Sequence, residues 1–338
     1  EIAAASGNCA VWQVLSEQPL WKCPRRRSQD LAHPGEVPEP LPGVTAWAPA
    51  EPDKELMLQN GCDIPSLPFD TETNWTAVIS EHALLRQPLR ITGLGQFLAA
   101  NDTSMFSFGS AANLCRSPWA DVQFEVGDMP YPRDYTGDQL EILGLCEYVR
   151  MVNRTRSKRR KPGRESKVKY WFSEHHPQGK SNALDIPVSE RSVDNWLDRV
   201  RKAALEALGL PFGHNGDRAE ADSVKLIIGP VKSGAPFHVH ASAMNIGLMG
   251  ARRWMLLPQQ EGIWSHVAIG EWWSRHSSKI NPAAIRECMQ YPGDVIFIPS
   301  FTVHGIINAV TSMALSWTND EHTLVEGMLK CQGCTRNM

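Results

Sequence analysis

The chain has 338 residues, of which 42% are hydrophobic, and it carries twelve tryptophans. That apolar content excludes a disordered chain and suits one large domain or two ordinary ones. A formal net charge of −3 excludes a global pull toward nucleic acid or anionic lipid, and no apolar run approaches the roughly 18 residues that span a bilayer.

Residues 1–65 are rich in proline and small residues, as in Pro34-Gly-Glu-Val-Pro-Glu-Pro-Leu-Pro-Gly43. They show no sustained period, so we expect an irregular N-terminal arm, pinned to the body by Trp12, Trp21 and Trp47. Residues 75–85 read as a short helix, and Gln87-Pro-Leu-Arg-Ile-Thr-Gly93 as a strand closed by glycine. Apolar residues recur at helical spacing over 138–152, which predicts a helix there. The basic run 153–169 carries Pro-Gly and no apolar stripe, so it reads as a solvated loop inserted in the domain. Its functional readings are a nuclear-import signal or a contact for an acidic or nucleic-acid partner. Lys169-Tyr-Trp-Phe172 resumes as strand, and 188–208 reads as helix. From residue 225 to 317, short β-rich runs alternate with Gly/Pro turns, which predicts an antiparallel barrel or sandwich. Within that stretch 264–273 reads as a helix laid over the sheet. The main domain is expected at 66–325, followed by a tail at 326–338.

Eight cysteines (Cys9, Cys23, Cys62, Cys115, Cys146, Cys288, Cys331 and Cys334) are scattered without a dense framework, which favours free thiols. Three Asn-x-Thr sites, at Asn74, Asn101 and Asn153, point to a secretory route and the basic run points to the nucleus. The balance leans slightly to a nuclear or cytoplasmic setting. Cys331-x-x-Cys334 lacks the second pair a zinc site needs. His175-His176 and His214 sit in loop and turn composition.

The chemistry concentrates in two segments. In Gly234-Ala-Pro-Phe-His238-Val-His240 the two histidines are two residues apart in an apolar stretch, so on a strand both leave the same face. About fifty residues later Pro292-Gly-Asp-Val-Ile-Phe-Ile-Pro299-Ser-Phe-Thr-Val-His304 brings a third histidine on a strand that opens with a Pro-Gly turn. Three imidazoles on one face can hold a divalent metal and leave positions open for chemistry.

These segments resemble the cupin superfamily and, within it, the JmjC (Jumonji C) oxygenases. Gly293, Pro299, His304 and Asn308 are similar to the cupin pattern Gly-x5-Pro-x-Gly-x2-His-x3-Asn, with Phe301 at the inner glycine position. Gly250-x-Arg252-Arg-Trp254-x-Leu-Leu-Pro258 resembles the JmjC strand Gly-x-Lys-x-Trp-x-Leu-x-Pro, and the 87–93 and 170–172 strands resemble earlier JmjC pieces. The resemblance covers residues from about 70 to about 320.

It implies a mainly β fold with flanking helices around a double-stranded β-helix (cupin or jelly-roll) core, and oxidation by Fe(II), O2 and 2-oxoglutarate. By the resemblance His238, His240 and His304 are the metal ligands. Tyr170, Asn245, Arg252 and Ser316 face 2-oxoglutarate, with Arg252 at the family's lysine position and Arg253 as the alternative. His240 stands where the family has Asp or Glu. This departure leaves three readings: an active hydroxylase or demethylase of a protein substrate, a catalytically silent metal-binding module, or a three-histidine dioxygenase that needs no 2-oxoglutarate. Imidazole also keeps other divalent metals in play. Oligomeric state is not legible in the sequence.

Overall fold

Alternation of apolar residues in the second half of the chain builds two facing sheets, in a computed structural model that describes residues 36–47, 51–58, 61–117, 119–121, 123–130, 141–154, 169–172, 192–210, 224–257, 265, 267–279 and 284–318. The fold is mainly β with a few helices. Its strands in the first half are β1 (Ser66–Pro68), β2 (Leu89–Thr92), β3 (Gln123–Val126), β4 (Glu141–Gly144) and β5 (Trp171–Phe172). The second half supplies β6 (Lys225–Gly229), β7 (Gly234–His238), β8 (Ala243–Met249), β9 (Arg252–Leu257), β10 (Arg286–Gln290), β11 (Val295–Ile298), β12 (Val303–Asn308) and β13 (Ser312–Thr318). The helices are α1 (Trp75–Leu84), α2 (Leu94–Asn101), α3 (Ala111–Leu114), α4 (Leu145–Arg154), α5 (Ser192–Ala207) and α6 (Ile269–His276). No helix among the described residues is long and apolar enough to cross a membrane.

The larger sheet runs β1-β2-β11-β8-β13-β6-β5 and the smaller runs β10-β9-β12-β7. From β6 onward the chain places successive strands alternately in the two sheets, except that β9 and β10 both lie in the smaller one. Register then decides what each face does. Leu226, Leu315, Ile246 and Val295 form one row across the larger sheet, fully buried on the side covered by Ile79, Leu94, Val149 and Val200 of the helices. The next row is Lys225, Ser316, Asn245 and Ile296, which by the period of two faces the smaller sheet. In the smaller sheet Met255, Leu257, Met289 and Ile307 pack with Trp272 of α6 on the outside. Trp254, Leu256 and Ile306 meet Ile296 and Ile298 between the sheets.

The Pro292-Gly293 turn depends on its glycine. Gly293 has φ +88°, and a Cβ there would stand 1.9 Å from the Gln96 side chain. Asp294 then accepts from Arg90 of β2 at 2.9 Å and 3.1 Å and from the Tyr291 backbone at 2.8 Å. This buried ion pair locks the turn onto the neighbouring strand, and removing one partner of such a pair costs about 3–5 kcal/mol.

Several expectations hold. Helix α1, strand β2 and the β-rich second half stand where the sequence puts them. A helix does lie over the sheet, but it is shifted from the expected 264–273: α6 starts at Ile269 and ends at His276, and its Trp272 meets Phe237 of β7 edge-on at 4.7 Å. Trp47 pins the arm by donating to the Gly109 carbonyl at 3.0 Å, and Leu41 and Val44 enter the core. Trp12, Trp21, most of the basic run, His175, His176, His214, Cys331 and Cys334 lie outside the described residues.

Two expectations are corrected. The helix predicted over 138–152 begins only at Leu145, because Glu141–Gly144 is strand β4, paired with β3. A strand partner that far upstream overrides the local helical spacing. The cysteines are not all free thiols: Cys62 is bonded to Cys288 and Cys115 to Cys146. The first pair lies 226 residues apart in sequence, joined across an isolated bridge to β10, so spacing carries no trace of it.

Two measurements follow from this packing. Thiol titration of denatured, unreduced protein should find at most four reactive groups among the eight cysteines. His82 is buried in α1 with Nδ1 2.9 Å from the Gln87 carbonyl, and burial lowers its pKa below 6.5. Below pH 6.5 the unfolded chain therefore takes up a proton that the folded chain refuses, and stability falls with pH. Urea denaturation should show a smaller loss of stability between pH 7.5 and pH 5.5 for His82→Gln than for the native protein.

Candidate metal centre

Strand β7 ends at His238, and His240 follows two residues later, outside the strand. Antiparallel pairing of β12 with β7 sets His304 directly opposite His238. Ring centroids are 4.3 Å apart for His238 and His304, 4.7 Å for His240 and His304, and 5.2 Å for His238 and His240. One ligand atom from each lies within 4.8 Å of the others. A modest contraction would bring them to the bond length of about 2.1 Å that an imidazole makes to a metal such as zinc. The two segments are stitched together by backbone. Phe301 donates its N–H to the His240 carbonyl at 3.1 Å, and the Ser242 N–H donates to the Ser300 hydroxyl at 2.9 Å.

The three rings are also held in one protonation pattern. Nδ1 of His238 lies 2.7 Å from the Pro236 carbonyl, Nδ1 of His304 lies 2.9 Å from that of Thr302, and Nδ1 of His240 lies 2.5 Å from that of Ala241. A carbonyl only accepts, so each Nδ1 carries the hydrogen and each Nε2 presents a lone pair. This is the outer-shell bond that orients metal-binding imidazoles. Burial, reinforced by the neighbouring imidazoles, pushes the His238 pKa down to about 4. The same causes place His304 well below 6.5, and burial lowers His240. All three are neutral near pH 7, the form that binds metal. The cluster can therefore hold a metal ion.

Behind the histidines lies a second polar feature. Arg252 of β9 is 1% exposed, and its Nη1 donates to Asn245 Oδ1 at 2.7 Å. Among the described residues its Nε and Nη2 find no acceptor of good geometry and no carboxylate pairs with it. The Tyr170 hydroxyl lies beside the guanidinium, and burial holds the Tyr170 pKa above 10. Trp254 borders both groups, its ring 5.6 Å from the Arg252 guanidinium carbon and 5.9 Å from the His304 ring centre.

Arg253, the alternative at this strand, faces the other side of the sheet. It pairs with Glu287 at 2.6 Å and stacks on Trp273 at 4.4 Å. Arg252 and Arg253 are thus told apart by strand alternation alone.

The histidines open on a cavity of about 210 Å³, which Arg252 does not itself line but approaches through its neighbours Tyr170, Asn245 and Trp254. Tyr170, Asn245 and Ser316 all line it with the three histidines, and the Ser316 hydroxyl donates to the Met244 carbonyl at 3.2 Å. Tyr170, Asn245 and Trp254 are buried and mark the closed end. Phe172, Lys225, His240 and Thr318 are half-buried and mark the mouth. No Asp or Glu lines it among the described residues.

Sequence reading missed Gln290 and Lys225. Gln290 of β10 donates to the Asn245 carbonyl at 2.8 Å and accepts from the Trp254 indole at 2.9 Å, fixing the residues around Arg252. Its signal is its register opposite Arg252, which only the strand pairing reveals.

Comparison of the sequence with protein-family models and with curated proteins finds no match. The metal assignment is tested by thermal unfolding of chelator-treated protein. A divalent metal at 100 times its Kd should add about 2.7 kcal/mol to the unfolding free energy. His304→Ala should remove that gain, and a gain that survives the substitution puts the ion elsewhere.

Proposed function

We propose that this protein is an Fe(II)- and 2-oxoglutarate-dependent oxygenase of the JmjC kind, acting on a protein substrate by hydroxylation or by demethylation through hydroxylation. On this reading strands β6 to β13 are the eight strands of a double-stranded β-helix, and their alternating placement in two sheets supports it. The observation that carries the proposal is Arg252. A buried guanidinium with two donors that find no acceptor among the described residues, set behind the Tyr170 and Asn245 end of a cavity that three imidazoles also line, suits a small dianionic ligand that reaches both.

The residues present suit that ligand and an iron ion. His238, His240 and His304 would hold the metal through Nε2. Arg252 would take the distal carboxylate with its planar fork, which binds carboxylates in bidentate fashion. Tyr170, kept protonated by burial, would donate to the same carboxylate. Asn245 holds one arm of the fork and so sets its angle. Trp254 and the surrounding apolar side chains keep water from the closed end, which strengthens each charged hydrogen bond there. With iron, 2-oxoglutarate and O2 bound, such a centre oxidises a substrate C–H bond while 2-oxoglutarate becomes succinate and CO2.

One observation favours a second reading, a metal-binding module without turnover. His240 supplies a neutral ligand where an oxygenase of this kind has a carboxylate, so the metal site is one charge more positive. A three-histidine dioxygenase without 2-oxoglutarate finds less support, because it leaves Arg252 without a task.

Anaerobic addition of Fe(II) and then 2-oxoglutarate should produce the weak visible charge-transfer band of the chelate, and succinate should form once O2 is admitted. Arg252→Met should weaken 2-oxoglutarate binding at least tenfold and leave the metal-dependent gain in stability intact. A band that develops only in His240→Asp moves the conclusion to the silent module.

A further inference from the structure

The Asn-x-Thr sequences at Asn74, Asn101 and Asn153 take no part in the site described above, and the fold sorts them. Asn74 is exposed and caps the N-terminus of α1, where its Oδ1 accepts from the Ala77 N–H at 3.1 Å. The cap engages the amide oxygen and makes no demand on Nδ2. Asn101 is exposed at the last residue of α2, and its Nδ2 donates to the Phe97 carbonyl at 3.0 Å. An amide nitrogen carries two hydrogens, so one of them is left for substitution. Asn153 differs: it is half-buried in the last turn of α4, with Nδ2 directed at the Ala46 carbonyl at 3.4 Å.

The surroundings of the first two suit a bulky group. Asn74 follows an exposed turn in which Asp70 accepts from the Glu72 and Thr73 N–H groups, and Asn101 precedes one in which Asp102 accepts from Ser104. Helices α1 and α2 enter the core through Ile79, Ala83, Leu94 and Leu98 on the outer side of the larger sheet. Among the described residues none of α1 or α2 lines the cavity. A substituent at either asparagine stands on the helical side of the fold and leaves the metal centre open. A second, independent observation points the same way. The disulfides Cys62–Cys288 and Cys115–Cys146 belong to oxidising surroundings, which are also those in which Asn-x-Thr becomes a glycosylation acceptor.

We propose that Asn74 and Asn101 are N-glycosylation sites of a chain that folds in an oxidising, secretory compartment. The donor is an oligosaccharide carried on a polyprenyl diphosphate. A bond forms from the asparagine Nδ2 to the anomeric carbon of the sugar, and the bond from that carbon to the diphosphate oxygen breaks. The polyprenyl diphosphate leaves with the electron pair, and Nδ2 gives up one proton. Oδ1 of Asn74 remains to cap α1, and the hydrogen kept on Nδ2 of Asn101 remains available to the Phe97 carbonyl. The assignment stands whether or not the metal centre is an oxygenase, and it places a sugar coat on the face turned away from the cavity.

The test uses the protein isolated from its own cells. A peptide-N-glycosidase acting in heavy-oxygen water converts each glycosylated asparagine to aspartate that carries the heavy isotope, and peptide mass spectrometry reads all three positions. A digest without the enzyme corrects for spontaneous deamidation. Heavy aspartate is expected at positions 74 and 101. Unlabelled asparagine at both overturns the proposal whatever happens at Asn153, and one unlabelled position overturns it for that residue. Two variants made in the same cells separate loss of the acceptor from misfolding. Asn74→Asp keeps an oxygen to cap α1 and removes the acceptor nitrogen, while Thr103→Ala breaks the second sequence and leaves Asn101 on Phe97. Each should lose one glycan step in mass on a denaturing gel, and the double variant should lose two. Unchanged mobility in either variant would overturn the assignment at that residue.

Discussion

A buried guanidinium with no counter-charge among the described residues is the constraint around which the site is arranged. Taking one charge out of water costs several kcal/mol even after relaxation, and Arg252 is 1% exposed with two donors unsatisfied. Its surroundings explain how it is tolerated. Asn245 takes one arm, Tyr170 lies beside it, and Gln290 ties Asn245 and Trp254 into a single hydrogen-bonded frame. The frame fixes where the guanidinium points and does not neutralise it. The result is a cation held in a fixed direction behind the Tyr170 and Asn245 side of the cavity, with no carboxylate beside it among the described residues.

The metal site obeys the complementary rule. Every one of its three side chains is neutral, and each is oriented by a carbonyl of its own local backbone at Pro236, Thr302 or Ala241. That arrangement demands little from the rest of the sequence, since a strand ending and a turn suffice to supply the carbonyls. It also fixes the charge of the centre. With no carboxylate in the cluster, the charge of a bound metal must be met by the ligands it collects.

What could be read from the sequence follows from how local each signal is. Strand spacing predicts that His238 and His240 share a face. In fact β7 ends at His238, and His240 reaches the cluster from just beyond it, whereas Arg252 parts from Arg253 by strand alternation. Glu141–Gly144 looked helical because its partner strand, β3, has no signature at that distance. The bond between Cys62 and Cys288 is invisible until β10 and the arm are side by side. Gln290 and Lys225 are ordinary polar residues in the sequence, and cross-strand register alone makes them neighbours of the site. The disulfides also alter the weighing of compartments. Such bonds persist in oxidising surroundings, which weighs against the nuclear or cytoplasmic setting and brings the Asn-x-Thr sites back into consideration.

The turn before β12 shows how strictly the backbone is held while the side chain is free. Phe301 occupies the position where the cupin pattern has a glycine, and it adopts φ +63°, the left-handed region that glycine enters without strain. A side chain there costs about 1–2 kcal/mol, and this one is 49% exposed, with the Arg86 guanidinium 5.6 Å from its ring centre. Neither burial nor that cation–π contact accounts for the backbone conformation. The N–H of Phe301 does: it reaches the His240 carbonyl only from this turn, and the turn then delivers His304 opposite His238. The metal site therefore depends on the path of the chain between Pro299 and His304, and a residue ill suited to that path is forced to follow it.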